Sequence, residues 1–308
     1  MIQIFHNDIT RVESQFIKRI EDSVIKNKLS KTEKKKLGAN PLSNGTELQK
    51  RVHNLYCCKP ELLKKENALF DAYLSSCSFT TIQKINIQKK YFDYETTIKY
   101  IKDYVMHAYW LMQKLNIRVC PYCNRTYTFT IDDDEGICRP EYDHFYCQKN
   151  FPYLSLSFYN LIPSCPICNH KKNTTEISIH PYIEGFGVNC KFKIENIENC
   201  LLDSRNYDIW SVDWEEHEDR FDSNINTFLL EQFYNEHKDF ISEIVFKTRA
   251  YNSGYYQTLL ETFVDKGLSS KEMHLLIFGT YTENDELGLR PLSKLSSDII
   301  EQVGMESL

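Results

Sequence analysis

At 308 residues, 42% of them hydrophobic and 13% aromatic, the chain can bury a sizeable core and is too apolar to be a disordered segment. Its formal charge of −6 excludes a protein that grips nucleic acid by bulk charge alone. Any such binding needs a local basic surface, a metal or a partner.

The opening Met1-Ile2-Gln3-Ile4-Phe5-His6-Asn7-Asp8 turns polar too soon for a secretory signal. No apolar run reaches the ~20 residues that cross a bilayer. The expectation is a cytoplasmic protein with no membrane partner, whose cysteines act as thiols or metal ligands rather than disulfides.

Residues 1–119 read as an N-terminal helical region. Ile9, Val12, Phe16, Ile20 and Val24 recur at helical spacing. A cationic stretch, Lys26 to Lys36, follows and is broken at Leu37-Gly38-Ala39-Asn40-Pro41. A long helix is expected from Asp93 to Leu115. Residues 120–185 form the motif region. Tyr127, Phe129 and Ile131 alternate with threonines as a strand does, Asp132 to Gly136 reads as a polar turn, and Ile137 to Tyr142 reads as the returning strand. Residues 186–308 read as a mostly helical C-terminal region after a strand near Lys191–Ile197. An apolar stripe runs from Phe228 to Val245. Ser269 and Glu272 have capping-box spacing, with Gly279 as a stop, and a last helix opens at Arg290-Pro291-Leu292 and ends near Gly304. Neither flank carries a catalytic signature.

Chemistry concentrates in the motif region. Cys120-Pro121-Tyr122-Cys123 and Cys165-Pro166-Ile167-Cys168 are two CxxC pairs. Each presents two thiolates from one turn, and together they complete a tetrahedral zinc site with no open position for water. The other seven of the eleven cysteines show no ligand spacing and read as free thiols. Between the pairs lies Asp143-His144. Phosphodiester hydrolysis needs a base for water, a cation on the phosphate and stabilisation of the leaving oxygen. The near-neutral imidazole of His144 suits the base. Asp143 is a hard oxygen ligand for Mg²⁺ or Mn²⁺, and the Asn169 amide oxygen can complete that site. Lys172, one helical turn beyond Asn169, can reach a phosphate; Lys171, Arg125 and Lys149 are further candidate phosphate contacts. His170 reads as solvent-facing and His180 as a loop histidine.

The segment from Cys120 to Lys172 resembles the HNH (ββα-metal, His-Me finger) endonucleases, in the subgroup with paired CxxC zinc knuckles. The matching elements are the two CxxC pairs, Asp143-His144, the run from Asn160 to Asn169, and Lys172. Asn169 stands where the literal name has a histidine, as in many members. The resemblance covers about a fifth of the chain. It implies an α+β fold, mostly helical with a central zinc-bound ββα-metal core, and a side chain of Asn160 that braces the loop carrying His144. The overall layout resembles the HNH subunits of bacterial anti-phage systems, such as Septu-type and retron-linked ones, which pair with an ABC/SMC-like ATPase. The implied activity is metal-dependent cleavage of DNA, with structural Zn²⁺ and catalytic Mg²⁺ or Mn²⁺. Two alternatives stay open: RNA cleavage by the same site, and a catalytically inactive zinc-stabilised interaction module.

Overall fold

The computed structural model describes residues 1–28, 46–99, 108–131, 138–202, 206–251, 253–264 and 267–304. The cationic stretch beyond residue 28, the turn at 132–137 and the middle of the helix expected at 93–115 lie outside the described residues. The chain is a mixture of helix and small antiparallel sheets, and it divides into two compact units.

The first unit comprises Phe5–Ile117 and Thr128–Glu176. Its helices are α1 (Ile9–Lys28), α2 (Glu47–Tyr56), α3 (Leu63–Ser76), α4 (Thr81–Tyr91) and α5 (Ala108–Leu115). On α1, Val12, Phe16, Ile20 and Val24 are buried, as their spacing requires. Capping boxes start α2 (Thr46 with Gln49) and α4 (Thr80 with Gln83), each pairing two otherwise orphaned N–H groups. Glu95–Lys99 forms a π-helical turn. A ring cluster fills the space between the helices and the loop at 152–160. Tyr153 meets Phe70 at 4.9 Å and Phe92 at 5.4 Å, and Phe158 meets Phe16 at 5.5 Å. The Ser155 hydroxyl donates to the Phe92 carbonyl and that of Ser157 to the Leu55 carbonyl. The helices thus fix a loop that would otherwise carry unsatisfied polar groups.

Strand β1 (Glu141–His144) pairs antiparallel with β2 (Leu161–Ser164), with Asp143 opposite Ile162 and His144 opposite Leu161. Helix α6 (Pro166–Lys172) follows at once, with Pro166 at its first position, where the missing N–H costs nothing. This hairpin differs from the expected one. Among the described residues Tyr127–Ile131 makes the isolated bridges Val119–Tyr127 and Ile131–Cys138, and the regular pairing lies further along, between the Asp-His strand and Leu161–Ser164.

The second unit comprises Met1–Ile4, Arg118–Tyr127 and Ile177–Leu308. Strands β3 (Phe192–Ile194) and β4 (Val212–Trp214) pair antiparallel. The helices are α7 (Ile197–Leu202), α8 (Asp222–Thr227), α9 (Leu230–Asn235), α10 (Lys238–Ala250), α11 (Ser253–Val264), α12 (Ser270–Phe278) and α13 (Ser293–Val303). Phe192 packs against Trp214 at 4.1 Å and Tyr234 at 4.3 Å, while Ile241, Ile244 and Val245 bury the inner stripe of α10. Ser269 caps α12 with Glu272 at N3, Gly279 ends it at φ 71°, and α13 stops at Gly304, as expected. Among the described residues no helix is long and apolar enough to cross a membrane.

Candidate active site and metal centre

The four cysteines of the two CxxC pairs come together. Cys120, Cys123, Cys165 and Cys168 are all buried, and their sulfurs lie within 4.8 Å of one another. Sulfurs ~2.3 Å from a central Zn²⁺ form a tetrahedron with edges near ~3.8 Å, so the group fits a metal after a small contraction. The local turns aim the thiols. Asn124 takes a left-handed conformation at φ 51°, its N–H donates to the Cys120 carbonyl at 2.8 Å, and the Arg125 N–H points at the Cys123 sulfur at 3.4 Å. On the other pair, the Asn169 N–H donates to the Cys165 carbonyl at 3.0 Å. Four buried cysteines so placed can bind a metal such as zinc.

Within the first unit, a cleft of about 510 Å³ is lined by Tyr94, Glu95, Asp143, His144, Asn169 and His170, among others. His144, at the end of β1, places Nε2 at 3.0 Å from the Ser155 carbonyl oxygen. A carbonyl only accepts, so Nε2 carries the hydrogen and Nδ1 keeps its lone pair. Burial, together with the Lys172 ammonium, pulls the imidazole down to about 4 against the opposing Ser155 bond, so it is neutral at pH 7. The Tyr94 ring meets it edge-on at 4.8 Å.

Asn160, fully buried, ties this loop together. Its Oδ1 accepts from the Tyr146 N–H at 2.8 Å, and its Nδ2 donates to the carbonyls of Tyr146 at 3.1 Å and Leu154 at 3.0 Å. The two ends of the loop, one beside His144 and one beside Ser155, are thereby clamped to one amide.

Asp143 sits on the same strand face as Glu141, two residues earlier. Asn169 Nδ2 donates to Glu141 Oε2 at 2.7 Å, which turns its amide oxygen away from that carboxylate. The carboxylates of Asp143 and Glu141 and the amide oxygen of Asn169 are hard donors of the class that takes Mg²⁺ or Mn²⁺.

One expectation needs correction. Lys172 does not reach outward to a phosphate: it is fully buried, with Nζ 3.2 and 3.1 Å from the two oxygens of Asp143 and 2.8 Å from the His144 carbonyl. An ammonium has three hydrogens, and these three acceptors use them. Arg125 belongs to the second unit, where its Nε donates to His237 at 3.0 Å and its guanidinium stacks over Phe233 at 4.4 Å. Lys171 is exposed, and Lys149 and His170 are exposed on the cleft lining. His180 is buried, and its Nδ1 accepts from the Tyr182 N–H.

Sequence reading missed three residues. Glu141 was legible, because a carboxylate at i−2 on a strand shares a face with Asp143. Tyr94 and Glu95 come from the N-terminal helical region, which carries no motif, and only the fold brings them to the cleft. No family model, curated protein or solved structure matches the chain.

Proposed function

We propose that the chain is an HNH-type endonuclease that hydrolyses phosphodiester bonds, with DNA as its substrate. The observation that carries this reading is His144. It lies in a cleft beside Asp143 and Asn169, on an antiparallel strand pair followed by a helix, with its tautomer set by a backbone carbonyl. In this reading Nδ1 of His144 takes the proton from the attacking water, and Ser155 and Asn160 hold the ring for that transfer. Asp143 and Asn169 would hold a divalent ion, which when bound supplies Lewis-acid polarisation of the phosphate and charge for the leaving oxygen. The buried cysteines would hold a structural Zn²⁺.

Delivery by a protein partner follows from charge. Residues 120–180 carry five Lys/Arg against seven Asp/Glu, so little counterion release is available to drive affinity. An ABC/SMC-like ATPase in a bacterial anti-phage complex, acting in the cytoplasm, is the partner this reading assigns.

The test uses the full chain, with and without the product of its neighbouring gene, on plasmid DNA and total RNA in Mg²⁺ or Mn²⁺. His144→Ala is expected to lose at least ~100-fold in cleavage rate while retaining its fold. Cleavage of RNA alone would move the substrate assignment. Equal cleavage by wild type and His144→Ala would remove His144 from the mechanism, and no cleavage of either nucleic acid would leave the inactive-module reading.

A further inference from the structure

We propose that Lys172 is a built-in counter-cation of Asp143, a positioning residue that an incoming divalent ion must compete with or displace. This deepens the metal-dependent reading above and rests on it. Lys172 ends α6, the helix that begins at the second CxxC pair, and it reaches back to β1. Its ammonium contacts both oxygens of Asp143 and also the main-chain carbonyl of His144. One cation therefore fixes the carboxylate of the candidate ion site and the peptide from which the His144 ring hangs. The Phe145 ring, 5.9 Å from Nζ, closes another side. Full burial keeps the ammonium from bulk solvent.

An ion bound to Asp143 at the ~2.1 Å of a Mg²⁺ ligand would sit close to this ammonium and be repelled by it. The free protein is thus set against holding the ion. A substrate phosphate adds the negative charge that offsets the repulsion, so ion and substrate bind together. Lys172 holds Asp143 in place until they arrive. A merely structural ion pair predicts something else: its loss would loosen the site and weaken ion binding. The proposal predicts the opposite sign.

The experiment titrates Mn²⁺ by electron paramagnetic resonance, without nucleic acid, into the full chain as purified. It compares wild type, Lys172→Met, Asp143→Asn and the double variant. Lys172→Met removes the charge and keeps the length. It is expected to bind Mn²⁺ at least roughly fivefold more tightly than wild type, with the gain absent from the double variant. Its cleavage rate at saturating Mn²⁺ is expected to fall, because the carboxylate and the His144 peptide lose their tether. Unchanged or weaker Mn²⁺ binding by folded Lys172→Met would overturn the proposal. Should Lys172→Met fail to fold without metal, its refolding is followed by circular dichroism with Mn²⁺ added. Recovery that the double variant does not share supports the proposal, and no recovery overturns it. A gain in Mn²⁺ affinity in a chain that cleaves no nucleic acid would leave Lys172 as assigned and sink the nuclease reading alone.

Discussion

Among the described residues each unit buries one lysine–aspartate pair, and the two are built differently. In the second unit, Lys294 and Asp298 are one turn apart on α13, with Nζ 2.6 and 2.5 Å from the two carboxylate oxygens. Asp298 also accepts from the Phe192 N–H at 2.9 Å, so the pair fastens β3 to α13. Burial nevertheless pushes the Asp298 carboxyl above its ordinary range. In the first unit, Lys172 and Asp143 come from different elements, sit at 3.1–3.2 Å, and border a cleft. The local pair joins a strand to a helix inside the second unit. The non-local pair is looser and has a cleft beside one partner. Equal burial therefore does not imply equal purpose; what sets the Asp143 carboxylate apart is the cleft beside it.

Mutation sharpens that comparison, and the cysteine cluster gives the largest expected effect. Metal binding by four thiolates is worth on the order of 10 kcal/mol in small zinc sites. Cys165→Ser is expected to lose the metal and the folded region around it, checked by metal content and circular dichroism. Retention of native structure with no metal in either protein would remove the zinc assignment. Next comes Asp298→Ala, which strands the buried Lys294 ammonium and orphans the Phe192 N–H. A loss of about 3–5 kcal/mol in urea unfolding is expected, with no recovery on adding Mn²⁺. A Mn²⁺-dependent recovery in Lys294→Met, which keeps the Asp298 carboxylate, would erase the distinction drawn between the two pairs.

The elements with local causes were legible in the chain. The α1 stripe, the Ser269–Glu272 cap, the Gly279 and Gly304 stops and the CxxC turns all depend on residues within a few positions of one another. The same pattern at Thr46–Gln49 and Thr80–Gln83 is equally readable. The strand pairing was not legible in this way. Tyr127–Ile131 alternates as a strand should, yet Glu141–His144 pairs instead with Leu161–Ser164, across a loop held by ring packing to Phe70 of α3 and to Phe92 and by a hydrogen bond to α2. For the same reason the sequence does not orient Lys172. Its position one turn past Asn169 fixes which helix face it leaves from, but whether it meets solvent or Asp143 depends on where β1 lies. Tyr94 and Glu95 reach the cleft through tertiary folding alone.

The smallest expected effects compare the helix caps of the two units. The caps at Thr46 and Thr80 use neutral Gln49 and Gln83, whereas the cap at Ser269 uses the carboxylate of Glu272. The Ser269 backbone N–H and hydroxyl, both donating to that carboxylate, hold Glu272 below its ordinary range. A carboxylate with a folded value below its unfolded one stabilises fully above the unfolded value of ~4.3, and that contribution is lost as pH falls through the folded value. Stability lost between neutral pH and about pH 3 is therefore expected to shrink in Glu272→Gln, whose neutral amide still accepts from the Ser269 N–H. Thr46→Ala removes a neutral cap and is expected to cost about 1 kcal/mol at every pH. Urea unfolding at pH 7 and at acid pH separates the two. A Thr46→Ala penalty that fades with acid, or a Glu272→Gln variant whose acid sensitivity matches wild type, would show that the charged acceptor, despite its two Ser269 donors, adds nothing that a neutral one lacks.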